Sequence, residues 1–125
     1  MRSVNKVVLM GHLASDPEVK SLPNGVCLTK FNLATNRDWV TGEGEKKEAA
    51  DFHKIITWSK LGEVCGKFLK KGFGVYLEGR ISNREYEDKA GNKKTMTEII
   101  ADTVHFLTFK KNAQGGEVNL EEMPA

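Results

Sequence analysis

Two sets of side chains in this sequence could do chemistry. The first set is the histidines and cysteines, which are His12, His53, His105, Cys27 and Cys65. Metal sites and nucleophilic pairs that can be recognised from sequence have characteristic spacings between their residues. None of the histidines stands at such a spacing from another histidine or from a cysteine. We therefore predict no enzyme, no catalytic residue, no bound metal and no cofactor. A pair assembled only by the fold stays open at this point.

The second set is four large aromatic rings that stand among cations or polar loops: Trp39, Phe52, Trp58 and Tyr86. A ring can stack on any nucleobase, and each stacked base contributes about 1–3 kcal/mol. Neighbouring cations such as Lys54 and Arg84 can bind phosphates and release counterions. Duplex DNA hides its base faces, so this combination is typical of a surface for single-stranded nucleic acid. For any one ring, burial between subunits is an equally good explanation.

The stretch from Gly74 to Glu87 shows how such a surface could be built. Val75, Leu77 and Ile81 alternate with polar residues, which predicts a β-strand with one buried face. The opposite face carries Tyr76, Glu78, Arg80, Ser82, Arg84 and Tyr86. An apolar face with cations and rings behind it would present those groups to a ligand.

Five segments have the character of strands, at residues 4–13, 26–39, 50–58, 74–86 and 95–109. Polar turns at 21–25, 41–48 and 88–94 separate them. Between the third and fourth strands, residues 59–72 carry one apolar stripe at helical spacing. Ser59 is expected to cap this helix and Gly72 to end it.

This order predicts an all-β protein with one helix. The expected architecture is an OB-fold, a five-stranded Greek-key barrel with the helix between strands 3 and 4. An open sheet with the helix across one face is the alternative. We expect residues 1–110 to form this domain and residues 111–125 to be a short, disordered, acidic tail.

The charge is uneven along the chain. Residues 1–111 contain all 19 Lys and Arg against 14 Asp and Glu, and the remaining residues add three glutamates, for a total of +2. A basic body is a weak indication of a polyanionic partner. The apolar run Val7–Met10 is too short for a signal peptide or a membrane span. Two cysteines 38 positions apart favour a reducing, cytoplasmic setting.

Long stretches of the sequence resemble bacterial-type single-stranded DNA-binding proteins. They include "VNKVVLMGHLASDPEVK", "LPNG", "FNLATNRDW" and "DFHKIITWSKLGEVCGKFLKKGFGVYLEGRI", and the similarity covers residues 3–109. The resemblance implies an OB-fold homotetramer, without a membrane, around which single-stranded DNA wraps with no preferred sequence. It implies a nucleoid-associated protein that coats and protects single strands during DNA replication, recombination and repair.

The resemblance also assigns roles by position. The stacking rings fall on Trp39, Phe52, Trp58 and Tyr86. The phosphate contacts fall on Arg2, Lys6, Lys54, Lys60, Lys71 and Arg84. His53 falls near the contacts between subunits, and Tyr76 and Glu78 are expected to face a neighbouring subunit.

Some positions depart from the family pattern. Relatives commonly have Trp at Phe52 and Tyr86, and they often have basic residues directly after the ring of Trp39, where Glu43 and Glu45 make this loop less favourable for phosphate. Many end in an acidic tip with a terminal Phe, whereas this sequence ends "LEEMPA". We therefore expect weak recruitment of replication and repair proteins through the tail. Two other functions remain open: an OB protein for RNA or replication restart, and an oligomeric module whose rings are buried between subunits.

Overall fold

The computed structural model describes residues 2–107, 110–111 and 117–118. The elements are β1 (Val7–Leu13), β2 (Glu18–Ser21), β3 (Cys27–Val40), β4 (Lys46–Trp58), α1 (Ser59–Phe68), β5 (Gly74–Glu87) and β6 (Lys93–Phe106). Two further pairs of residues, β7 (Lys110–Lys111) and β8 (Glu117–Val118), pair antiparallel. Most of the predicted tail lies outside the described residues.

Five strands close into a barrel. The sheet order is β1-β5-β6-β4-β3, and an additional pairing of β1 with β3 joins the two ends, while β2 extends the sheet beside β3. Neighbouring strands run antiparallel except β4 and β6, which pair in parallel through Ile55 with Ile99 and Ile56 with Ile100. The helix follows β4 and precedes β5 along the chain. The prediction of an OB-type barrel with one helix is confirmed.

The barrel closes where β1 meets β3. His12 and Leu13 of β1 pair with Ala34 and Leu33 of β3. A Cβ atom on Gly11 would overlap the backbone carbonyl of Ala34, so only glycine allows the two strands to approach this closely.

The core fills the barrel with inward-facing aliphatic side chains. Leu33, Ile55, Val75 and Leu77 have no exposed surface. Around Leu33, Val75 and Leu77 burial alternates along the strand, whereas Ile55 begins a run of three buried residues at the end of β4. The apolar side of α1 contributes Cys65, which is also fully buried.

One buried hydroxyl anchors the helix to the barrel, and a second one joins β4 to β3. Thr29 Oγ1 donates to the carbonyl of Gly62 at 2.6 Å, and Thr57 Oγ1 donates to the carbonyl of Thr29 at 3.1 Å. A Cβ on Gly62 would lie 2.8 Å from the Thr57 carbonyl oxygen. A glycine that weakens an isolated helix is therefore what lets this helix pack closely on the sheet.

The helix ends differ from the prediction. Trp58 is the N-cap residue, without a side-chain cap, while Ser59 has φ 57 and lies inside the helix. The helix ends at Phe68 rather than near Gly72, because Leu69 takes an extended conformation and buries its side chain. Gly72 instead lies in the following turn, where its N–H donates to the Leu13 carbonyl at 2.9 Å.

Several strand boundaries also differ. The short strand β2 was not predicted, because all four of its residues are exposed and give no alternating pattern. Residues 46–48 belong to β4 rather than to a loop, since Lys46 pairs in register with Val40. Residues 4–6 lie outside β1, and the Asn5 side chain bonds to the backbone of Ile81 instead.

Candidate nucleic-acid interface

Phe52 and Tyr86 lie together in an open groove of about 430 Å³ on the barrel surface. We call it the aromatic groove; it is lined by Phe52, His53, Lys54, Tyr86, Thr95, Met96, Thr97 and Ile99. The Phe52 side chain is 66% exposed and that of Tyr86 is 38% exposed. The two rings come from distant parts of the sequence and meet because β6 lies between β4 and β5. The groove thus offers two accessible ring faces beside one ammonium group.

A second groove of about 410 Å³ continues from the first, and Lys54 and Met96 line both. Its charged residues are Lys30, Lys54, Arg84, Asp16, Glu18 and Glu98. We call it the mixed-charge groove, because three cations face three carboxylates. Arg84 is ion-paired with Glu98, and the carboxylates in the lining lower the net attraction of this groove for a phosphate.

Trp58 stands on the same face of β4 as Phe52 and Lys54. Side chains alternate along a strand, so residues 52, 54 and 58 share one side. Trp58 is 41% exposed and lies at the junction with α1. It lines neither groove, and it extends the row of rings and cations toward Lys60 on the helix.

Trp39 lies on the other face of the β3–β4 hairpin. The guanidinium of Arg37 lies 5.0 Å from its ring centroid, and Arg37 Nε contacts Asp51 Oδ2 at 3.1 Å. Asp51 and Phe52 are adjacent in β4 and therefore point to opposite sides. The structure brings together three of the four predicted rings on one face and places Trp39 behind them.

Arg84 is held by a carboxylate that the sequence analysis did not single out. Arg84 Nε lies 3.3 Å from Glu98 Oε1, and Nη2 lies 3.4 Å from Oε2. Arg84 Nη2 is also 3.6 Å from Met96 Sδ, and Lys54 Nζ is 3.7 Å from the same sulfur. Met96 therefore lies between Arg84 and Lys54, at the boundary where the two grooves meet.

One signal in the sequence could have identified Glu98. A glutamate directly before Ile99 and Ile100 in a strand is expected near the core, where a carboxylate needs a cationic partner. Finding that partner requires the register of β5 on β6, which sequence patterns do not supply. Lys30 was not singled out because none of the four rings stands next to it in the sequence.

Lys6 lies away from both grooves and forms an ion pair. Lys6 Nζ is 2.7 Å from Glu78 Oε1, and the Tyr76 hydroxyl donates to Glu78 Oε2 at 2.8 Å. The Lys6 hydrogen bond lowers the pKa of the Glu78 carboxyl, with a smaller effect from Tyr76. The same bond raises the pKa of Lys6, and donation to Glu78 raises the pKa of Tyr76.

Tyr76 and Glu78 belong to an apolar-rich surface that we call the β1–β5 outer face, formed by Val8, Met10, Tyr76 and Glu78. Val8 pairs with Glu78 and Met10 pairs with Tyr76 across the two strands. Val8 is 52% exposed and Met10 is 66% exposed. His53, which was predicted near the subunit contacts as well, lies elsewhere.

His53 lines the aromatic groove and is half-buried. Its Nε2 shares a hydrogen bond of 2.9 Å with Thr35 Oγ1. The structure therefore does not bring His53 together with Tyr76 and Glu78.

Besides Lys6, three predicted phosphate contacts stand apart from the grooves. Arg2, Lys60 and Lys71 are exposed and line neither groove. The Lys71 backbone N–H donates to Asp16 Oδ1 at 2.9 Å, which ties the turn after α1 to the edge of the mixed-charge groove. The backbone of Lys71 therefore lies beside the mixed-charge groove, although its side chain does not line it.

The part of the chain that the structure describes contains no cluster of three or more His, Cys, Asp or Glu side chains that could hold a metal ion. Burial raises the pKa of the Cys65 thiol to about 12, which leaves it protonated at neutral pH. Among the described helices none is long and apolar enough to cross a membrane.

A small OB-type barrel with exposed rings and cations along one face is typical of one class of nucleic-acid-binding proteins. Comparison of the sequence with known protein families identifies the family within this class. Residues 4–107 match the sequence model of the Single-strand binding protein family. The chain belongs to the single-strand binding protein family.

Similar proteins support the assignment. A Single-stranded DNA-binding protein of Neisseria meningitidis serogroup A is 41% identical over 114 residues, which cover 91% of this chain and 66% of that protein. Single-stranded DNA-binding protein 1 of Chlorobaculum tepidum is 39% identical over 115 residues, covering 91% of this chain and 71% of that protein. The chain thus spans slightly less than two thirds of the Neisseria relative.

A solved structure matches the fold closely. It is described as a Plasmodium falciparum SSB complex with ssDNA, and it superposes with a TM-score of 0.80 at 31% sequence identity. The match covers 86% of this chain and 98% of the other.

Proposed function

We propose that this protein binds single-stranded DNA without sequence preference, and that it coats and protects single strands during DNA replication, recombination and repair. The observation that carries the proposal is the aromatic groove, where Phe52 and Tyr86 stand exposed on either side of a strand with Lys54 beside them. Membership of the family and the likeness to a solved complex with single-stranded DNA support it.

Base stacking is assigned to Trp39, Phe52, Trp58 and Tyr86. All four are at least 38% exposed, so a base can reach each ring without any rearrangement of the core. A strand that follows β4 would meet Trp58 and Phe52 and then cross to Tyr86. Contact with Trp39 as well requires the strand to pass around the β3–β4 hairpin, which is consistent with wrapping.

Phosphate contacts are assigned to Arg2, Lys6, Lys54, Lys60, Lys71 and Arg84. Lys54 is the strongest candidate, because it lines both grooves and forms no ion pair among the described residues. Lys6 is the weakest, since DNA would have to compete with Glu78 for its ammonium group.

We further propose that the protein is a homotetramer. The β1–β5 outer face supports this, because two apolar side chains are left exposed there next to Tyr76 and Glu78. His53 remains a proposed contact between subunits, but its side chain bonds to Thr35 of β3 and does not belong to this face. Sedimentation equilibrium would give the number of subunits directly, and Met10→Glu should lower it.

We also propose that the chain has no catalytic activity and that it acts in the cytoplasm with the nucleoid. Its proposed action is stoichiometric: stacked bases cannot re-pair, so binding keeps the strand open.

Intrinsic tryptophan fluorescence tests the proposal, since Trp39 and Trp58 are the two tryptophans. Oligo(dT) should quench both strongly and saturate, whereas a matching duplex should have little effect. The logarithm of the affinity should fall with the logarithm of salt concentration by about 0.7 per phosphate contacted. A preference for oligo(U) would favour an RNA-binding protein. Emission indifferent to all polynucleotides would favour an oligomeric module with shielded rings.

A further inference from the structure

Glu98 is the only charged side chain that is buried within residues 2–107. The residue is 5% exposed and is followed in β6 by Ile99 and Ile100. A buried carboxylate is costly unless a cation and hydrogen bonds compensate for the lost water. Burial of the Glu98 carboxylate therefore depends on a cation that contacts it.

That cation is Arg84, which contacts Glu98 through two nitrogens. The distances are 3.3 Å from Nε to Oε1 and 3.4 Å from Nη2 to Oε2, and the Arg84 side chain remains 54% exposed. A two-point contact fixes both the position and the plane of a guanidinium. It also leaves the Nη1 group on the edge that Glu98 does not occupy. Arg84 is thus anchored on one edge and available on the other.

We propose that Glu98 is a positioning residue for single-stranded DNA binding. By this proposal it holds the guanidinium of Arg84 at the boundary of the two grooves, where the free edge meets a phosphate of the strand that stacks on Phe52 and Tyr86. The inference rests on the proposed function of this surface. It adds a carboxylate, which repels phosphate by itself, to the groups that favour binding.

Two opposite effects of Glu98 have to be weighed. Its charge reduces the attraction of Arg84 for a phosphate, while its contacts remove rotational freedom that Arg84 would otherwise lose on binding. The two distances exceed the 2.7–2.9 Å of strong charge-assisted bonds. Because the arginine is also more than half exposed, water screens the cancellation of charge. We take the ordering to be the larger effect, and the direction of the change in affinity on Glu98→Gln tests this.

Neighbouring groups make the position of Arg84 matter. Met96 Sδ lies 3.6 Å from Arg84 Nη2 and 3.7 Å from Lys54 Nζ, so the two cations flank one side chain. An arginine released from Glu98 could swing away from Lys54 into solvent. Two fixed cations at this boundary would instead bind neighbouring phosphates together.

A double-mutant cycle tests the proposal, with oligo(dT) affinity measured by tryptophan quenching at several salt concentrations. Glu98→Gln keeps the shape of the side chain and should weaken binding about threefold to tenfold. The reason is that Arg84 would regain rotamer freedom, part of which it would then lose on binding DNA. In an Arg84→Gln background the same change should have less than about a twofold effect, because there is no guanidinium left to position. Thermal melting of each variant checks that it is folded.

Arg84→Lys provides a second route that leaves Glu98 intact. Lysine keeps the charge but cannot make the two-point contact, so binding should weaken while the salt slope stays unchanged. Arg84→Gln, in contrast, should reduce the slope by about 0.7. Arg84→Lys binding as tightly as the parent would overturn the proposal.

The remaining outcomes separate the explanations. Tighter binding by Glu98→Gln would mean that Glu98 only neutralises Arg84. Equal weakening by Glu98→Gln in the parent and in the Arg84→Gln background would mean that Glu98 acts only on the fold. Both results overturn the positioning role while leaving DNA binding in place. If the parent chain does not bind oligo(dT), the proposed function fails and this inference fails with it.

Discussion

Replacing Phe52 with alanine should weaken binding to single-stranded DNA and change the stability of the protein only slightly. The ring is 66% exposed in the aromatic groove, so about one third of it is packed against the protein. Removing a fully buried Phe costs about 3–5 kcal/mol, and a third of that is about 1–1.7 kcal/mol. Losing one stacked base should cost about 1–3 kcal/mol of binding free energy, a factor of roughly 5 to 150 in affinity.

The substitution Phe52→Trp should act in the opposite direction, because a larger ring covers more of a base. Both variants should keep the salt slope of the parent, since neither changes a charge. The assay is fluorescence anisotropy with labelled oligo(dT) of about ten nucleotides, within the range of one OB-fold. Anisotropy is preferred here because a tryptophan at position 52 would add its own emission.

Val19→Ala is the matched control. Val19 is 50% exposed on β2 and lines neither groove, so its removal should change stability without changing affinity. Unchanged affinity of Phe52→Ala would refute the stacking role of this ring. A loss of affinity accompanied by a smaller salt slope would also contradict it, because the ring would then be acting through the cations around it.

Three further predictions concern other parts of the molecule. Lys54→Gln should weaken oligo(dT) binding and reduce the salt slope by about 0.7, measured in the same titrations; an unchanged slope would exclude a phosphate contact. The Glu78 pKa is lowered and the Lys6 pKa is raised, so their pair should stabilise the fold above the ordinary carboxyl value of 4.5 and below the ordinary ammonium value of 10.5. This stability should be lost as pH falls through the lowered Glu78 pKa or rises through the raised Lys6 pKa. Glu78→Gln should flatten both limbs of melting temperature against pH, and equally steep limbs in the variant would argue against the pair. Gly62→Ala should destabilise the protein by about 1–3 kcal/mol in urea unfolding, since the new Cβ would crowd the Thr57 carbonyl; a helix-propensity gain would appear instead as higher stability.

The barrel was predictable because its strands carry strong local patterns. Between residues 74 and 86 apolar and polar side chains alternate over most of the strand, and the helix has a complete apolar stripe, so both elements follow from their own residues. The short strand β2 has no apolar alternation and exists only because β3 offers it an edge. Likewise, the helix ends where Leu69 enters the core, and Gly72 does not determine that point.

Part of the candidate site could likewise be predicted from the sequence, and part of it could not. Ring exposure near Phe52 and Tyr86 follows from strand parity together with the cations beside them, and the structure places these two rings in one groove. The position of Trp39 on the opposite side of its hairpin depends on the register of β3 on β4, which pairs it with Lys47. A shift of one residue would have reversed the face, and no local pattern specifies that register.

The sequence by itself determined which side chains are apolar, aromatic or charged, where the chain turns, and hence the order of five long strands and one helix. Only the tertiary structure decided which of those side chains meet. Arg84 and Glu98 stand fourteen positions apart, and they are joined because β5 and β6 pair in one particular register that brings a half-exposed guanidinium to a buried carboxylate. Such contacts depend on long-range pairing and burial, which are properties of the whole barrel and of no single segment.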